Sequence, residues 1–142
     1  MTKTTISSFS QAADQAQAWV NELADELDWN KHRAYRLMRS VLHALRDWLP
    51  TAEMADLAAQ LPVLIRGLYF DGWKPQDTPV TERKKEDFVA RIENDLKQDM
   101  PNNADAAIRA VFRLLDRHIS HGEIVQVRSA MKKALQDLWP SD

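Results

Sequence analysis

The chain has 142 residues, 44% of them hydrophobic and 28% charged, a composition that suits one folded domain and excludes a wholly disordered chain. Nineteen Lys and Arg against 21 Asp and Glu leave a net charge of −2 and a pI near 6.1. That balance argues against a basic protein held to nucleic acid mainly by phosphate attraction. Three Gly and no Cys argue against phosphate-cradling glycine loops and remove disulfides, thiolate metal sites and Cys nucleophiles.

The N-terminus is polar, with a single Lys and no apolar run of signal-peptide length. No apolar run reaches the about eighteen residues a membrane span needs. The expectation is a cytoplasmic protein with no membrane contact. A first helix starts at Ser7 or Ser8, and Phe9, Ala13, Ala16, Trp19, Val20, Leu23 and Leu27 recur at three- and four-residue steps. Asp28-Trp29-Asn30 is a turn with Asp28 or Asn30 as N-cap. A second helix over Lys31–Trp48 places Met38, Val41, Leu42, Leu45 and Leu49 on one stripe.

Pro50-Thr51 ends that helix and opens a third over Ala52–Gln60. Pro62 is tolerated only in the first turn of a new helix, so a kink at Leu61 separates a fourth, Pro62–Tyr69. Asp71–Pro79, with one Gly and two Pro, reads as the linker. A fifth helix begins between Thr81 and Glu86 and buries Phe88, Val89, Ile92 and Leu96. A sixth runs over Ala104–His118, and a last helical stretch over Gly122–Trp139.

The halves resemble one another at an offset of seventy residues: Ala34 meets Ala104, Arg39 meets Arg109, Val41 meets Val111, Leu45 meets Leu115, Glu53 meets Glu123 and Leu68 meets Leu138. The expected fold is all-α: a compact bundle of seven to eight helices built from two tandem pseudo-symmetric repeats. Residues 5–72 and 80–140 form the copies and 73–79 the linker.

Three features compete as sites. Residues 9–28 carry five acids and no Lys or Arg, whereas residues 29–46 carry five bases and no acid. At about 100° per residue, His32, Arg36, Arg39, His43 and Arg46 fall within an arc of about 80° beside the apolar stripe. The second half keeps part of it as Arg109 and Arg113. The functional reading is a surface for an anion or acidic partner. The structural reading, which we favour, is a solvated face where the basic second helix neutralises the acidic first, with Arg39 and Arg109 paired to acids such as Asp25 and Asp95. Trp73, in a Gly/Pro loop, is either a partner anchor or a plug over the bundle end. His118, His121 and Glu123 lie within six residues, but the expected helix break divides them. Ser120 as N-cap with Glu123 at N3, closing a capping box, is favoured over a metal site. No cofactor is expected.

The strings RAYRLMRSVLHALRDWLP, AQLPVLIRGLYFDGW and AVFRLLDRHISHGEIVQVRSAMKKALQDLWP look like a known pattern. Ala59-Gln60-Leu61-Pro62, Arg66-Gly67-Leu68-Tyr69, Gly72-Trp73 and Gly122-Glu123-Ile124 are its most specific parts. The chain from Phe9 to Pro140 resembles the bacterial family known as domain of unknown function 2267. The resemblance implies a bacterial, cytosolic, all-helical protein and brings no catalytic residues. Met131-Lys132 stands where that pattern has Leu-Pro.

No hydrolase nucleophile elbow, nucleotide-binding glycine loop or Cys-x-x-Cys motif occurs. The expected function is a non-enzymatic interaction or adaptor module that binds a protein partner or itself. The alternative is an anionic ligand, or less readily nucleic acid, on Arg36, Arg39, His43 and Arg46.

Overall fold

The computed structural model describes residues 6–141; residue 5, the expected start of the first half, lies outside them. Among the described residues there are seven α-helices and no strands. The helices are α1 (Ser7–Leu27), α2 (Lys31–Trp48), α3 (Thr51–Gln60), α4 (Val63–Phe70), α5 (Lys85–Leu96), α6 (Ala104–His118) and α7 (His121–Ala130). Short 3₁₀ segments lie at Pro75–Asp77, Lys97–Asp99 and Lys133–Leu138.

Each boundary has a local cause. Asp28 ends α1 in the left-handed region at φ 55°, and the N–H of Trp29 reaches back to the Ala24 carbonyl at 3.0 Å. Such a turn satisfies carbonyls the helix end would strand. Asn30, rather than Asp28, caps α2, its side chain accepting from the Arg33 N–H at 2.9 Å. Pro50 and Pro62 occupy the N-cap positions of α3 and α4. A Pro there lacks only an N–H that the helix could not have used. The expected start of the fourth helix at Pro62 therefore shifts by one residue.

The last helical stretch is a larger correction. It is not continuous over Gly122–Trp139: α7 stops at Ala130, Met131 is extended, and the chain resumes as the 3₁₀ segment Lys133–Leu138. The break occurs without a Pro. Lys132 extends from it, and its ammonium donates to the Val80 carbonyl at 2.6 Å and to that of Glu82. Helix ends at Leu49 and Leu61 thus have counterparts at Ile119 and Met131.

α2 is the central helix. It packs on α1, α4, α5 and α6, while α1 also lies against α4 and α6, and α3 against α7. Sequence reading gives α2 one buried stripe, yet every residue from Ser40 to Trp48 is buried. The core runs from Leu23 and Leu45 through Ile65, Tyr69, Phe88 and Phe112 to Trp139. Phe112 meets Trp139 edge-on at 4.6 Å, and Trp48 meets Phe88 likewise at 5.6 Å. Each such buried side chain contributes about 1.5–3 kcal/mol against exposure. Tyr69 keeps its hydroxyl satisfied in the core by donating to the Met54 carbonyl at 3.0 Å.

Candidate functional site

The basic arc of α2 divides into two parts. Its C-terminal part faces the end of α4, whose last carbonyls have no partner within their own helix. His43 Nε2–H donates to the Leu68 carbonyl at 2.7 Å, and Arg46 donates to the carbonyls of Tyr69 and Asp71, each at 3.0 Å. Arg46 also grips the carboxylate of Asp47 through Nε at 2.8 Å and a second nitrogen at 3.1 Å. Only 4% of the Arg46 side chain is exposed. Burial holds His43 below the usual imidazole range, and the nearby Arg46, Arg39 and Arg91 push it the same way, against the hydrogen bond to Leu68. The expected solvated face is therefore wrong here: His43 and Arg46 are themselves buried and cap the end of α4.

The N-terminal part stays half-exposed. Arg36 pairs with Asp99 and donates to the Asp95 carbonyl at 3.0 Å, while Arg39 reaches Asp71 at 2.8 Å. The expected Asp25 and Asp95 partners for Arg39 and Arg109 are not the ones used. Arg109 is held by Asp105 and Asp137, and Arg113 by Glu26 at 2.8 Å. Arg109 and Arg113 thus serve the second half and do not join the arc. Burial pushes the Asp105 carboxyl up, but its bonds to Arg109 and Lys85 outweigh that and hold it below the ordinary range.

Nor does α1 neutralise α2. Two acids of α1 pair with α6 instead: Glu26 meets Arg113 and Arg117, and Glu22 meets Arg117 and His118. The His118 ring stacks on Trp19 at 4.7 Å. His118, His121 and Glu123 are not brought together, and among the described residues no three His, Asp or Glu are placed to hold a metal ion. The capping box closes on one side only. Ser120 accepts from the Glu123 N–H at 3.3 Å, but the Glu123 carboxyl turns away to hydrogen-bond Glu53 of α3. One oxygen of each carboxyl is buried with no hydrogen-bond partner. Burial first, then the bond to Glu53 and the charges of Glu53 and Asp56, raise Glu123 to about 7.

Trp73 is half-buried against Phe70, ring centres 5.6 Å apart, and donates to Thr78 Oγ1 at 3.1 Å. Gly72 beside it has φ 78°, a conformation that favours Gly and turns the chain off α4.

Two of the concavities that border α2 bear on its basic and its apolar face. One, of about 300 Å³, lies between α2 and α5 and is lined by Tyr35, Arg36, Arg39, Ser40, His43, Arg91 and Asp95. Arg91 escaped sequence reading because no other base lies within a helical turn of it on α5. The other, of about 360 Å³, lies among α1, α2 and α4 and is largely apolar, with Ala13, Val20, Met38, Leu64 and Leu68 in its walls. Tyr35 borders both.

An all-helical bundle with charge-capped helix ends is the class of protein that the fold and these surfaces define. The family described as an uncharacterized conserved protein, DUF2267, matches residues 16–138, and the chain belongs to it. No curated protein shows a significant match. No helix among the described residues is long and apolar enough to cross a membrane.

Proposed function

We propose that the protein is a non-enzymatic interaction module that pairs with a second copy of itself through the groove among α1, α2 and α4. One observation carries this reading. Among the described residues the exposed large hydrophobics are Ile6, Phe9, Val63, Leu64 and Val125, and the first four lie on or at the start of α1 and α4, two of the three helices that wall the groove. Phe9 is 69% exposed and Leu64 43%. Phe9 sits one helical turn before Ala13, which lines the groove, so plug and socket are neighbours on one face. A two-fold axis lets each copy offer its plug to the other's socket, the self-complementary arrangement of an isologous dimer.

Charge supports the choice of partner. Residues 7–17 carry a single ionised side chain, Asp14, so two copies of α1 approach with little repulsion. Interface centres are depleted in charge in the same way. The finer parts of the reading are a bacterial, cytoplasmic setting and a core duplicated from one helical unit. The seventy-residue offset between helix ends supports the duplication, and the absence of Cys suits a reducing compartment.

Light scattering on the eluting protein tests the proposal. The wild type is expected to run as a dimer with a dissociation constant on the order of micromolar. Leu64→Asp is expected to run as a monomer with an unchanged far-ultraviolet spectrum. A monomeric wild type, or a Leu64→Asp dimer as tight as the wild type, contradicts it.

A further inference from the structure

The cleft between α2 and α5 has a chemistry that the dimer reading does not use. Three guanidinium groups line it: Arg36 and Arg39, neighbours on one face of α2, and Arg91 across from them on α5. Asp95 is the only carboxylate in the lining itself, but each guanidinium is also paired outside it, Arg36 with Asp99, Arg39 with Asp71 and Arg91 with Asp47. Asp95 itself is engaged by Ser40 Oγ at 2.6 Å and lies 3.9 Å from Arg91.

The structural pairs leave donors over. A guanidinium has five N–H donors. Arg39 spends one on Asp71, and Arg36 spends two, on Asp99 and the Asp95 carbonyl. Arg91 approaches Asp47 at 3.1 Å without a well-directed hydrogen bond, and its guanidinium carbon lies 6.0 Å from the Trp48 ring centre. Arg91 thus keeps directed donors free although its charge lies near two carboxylates, Asp47 and Asp95, and it is held between the cleft and the Arg46–Asp47 pair.

We infer that this cleft binds a small molecule through a phosphate group, held by Arg36, Arg39 and Arg91. The oxygens of a phosphate suit the forked guanidinium donors that these pairs leave over. At about 300 Å³ the space sits at the small end of ligand pockets. Asp71 and Asp99, at the outer ends of the Arg39 and Arg36 pairs, put negative charge around the opening. A long polyanion would meet those carboxylates, whereas one phosphate group inside the cleft would not.

The test uses the whole protein, with inorganic phosphate and phenyl phosphate as probes and chloride at matched ionic strength as the control, read by calorimetry and by thermal unfolding. Binding with a dissociation constant of about 1 mM or tighter is expected for at least one probe. Arg91→Gln and Arg39→Gln are each expected to weaken it by about tenfold, as loss of one charge-assisted donor pair implies. The two variants guard against a folding artefact, since Arg39 has only the exposed Asp71 to lose. Tighter binding of phenyl phosphate marks the phosphate as part of a larger ligand; equal binding marks free phosphate. The inference is overturned if neither probe binds more tightly than chloride, if both variants bind as the wild type does, or if a single-stranded oligonucleotide displaces phosphate at far lower concentration.

Discussion

The two sides of α2 are built on opposite terms. Toward α4 and α5 the helix presents Arg36, Arg39, His43 and Arg46, and each is engaged by a carbonyl or carboxylate of another element or, for Arg46, also of its neighbour Asp47. Toward α1 it presents Tyr35 and Met38 to a groove with largely apolar walls. Charged groups cannot be left buried and unmatched without a cost of several kcal/mol, so the fold must supply their partners. Apolar surface at a rim carries a smaller penalty and can wait for a second molecule. The conspicuous arginines therefore answer first to architecture, and the plain side chains of α1 and α4 are the ones left over for association.

The sharpest way to break this contrast is at Arg46. Arg46→Ala removes the cap on α4 and leaves the buried Asp47 carboxylate with Arg91 as its one remaining cation. The expected loss is about 3 kcal/mol, or a fall in Tm of about 10 °C, in thermal unfolding. Arg36→Ala, at the exposed end of the same arc, is expected to cost at most about 1 kcal/mol. Equal effects would erase the distinction between the two parts of the arc.

Across the groove, Phe9→Asp is expected to raise the dimer dissociation constant by at least about tenfold, equivalent to about 1.4 kcal/mol, in sedimentation equilibrium while Tm of the monomer stays within about 2 °C.

A smaller effect is expected where α3 meets α7. Glu123 is raised in the folded chain to about 7 from its ordinary 4.5, so between those values the folded state holds the extra proton. Stability from this group is full below about 4.5 and is lost as pH rises through 7. Glu123→Gln keeps a hydrogen-bond donor toward Glu53 at every pH. Its Tm at pH 8 is expected to exceed that of the wild type by a few degrees, with the difference gone at pH 5. His43, held low, works in the reverse sense: it costs stability as pH falls below its ordinary 6.5. Running the pH series on Glu123→Gln and His43→Gln separates the two slopes.

The smallest effect is expected at Arg113. Its pair with Glu26 ties α6 to α1 on a solvated face, and Arg113→Ala is expected to cost about 0.5 kcal/mol in a denaturant titration.

Much of the architecture was legible because periodicity and breakers act locally. Leu23, Leu45 and Ile92 declare their helices by spacing, and Pro50 and Pro62 declare where helices stop. Partner choice was not legible. The acidic block of α1 and the basic block of α2 are adjacent in sequence, but Glu22 and Glu26 find Arg117 and Arg113 on α6, near ninety positions away. Arg46 reads as one more base on a polar face because the carbonyls it caps belong to Tyr69 and Asp71. Glu53 and Glu123 were visible as matching first-turn acids. That they face one another follows only from the packing of α3 on α7. The groove escaped notice because its walls are ordinary apolar residues, and exposure is not written in residue type.

The chain has no Cys, so one introduced thiol per copy gives an unambiguous cross-link. Phe9→Cys and Leu64→Cys proteins, prepared separately, mixed and oxidised, should form a 9-to-64 disulfide between copies well above the yield obtained when Phe9→Cys is mixed with Glu93→Cys on α5. A 9-to-64 product no more abundant than that control would contradict the pairing of plug and groove.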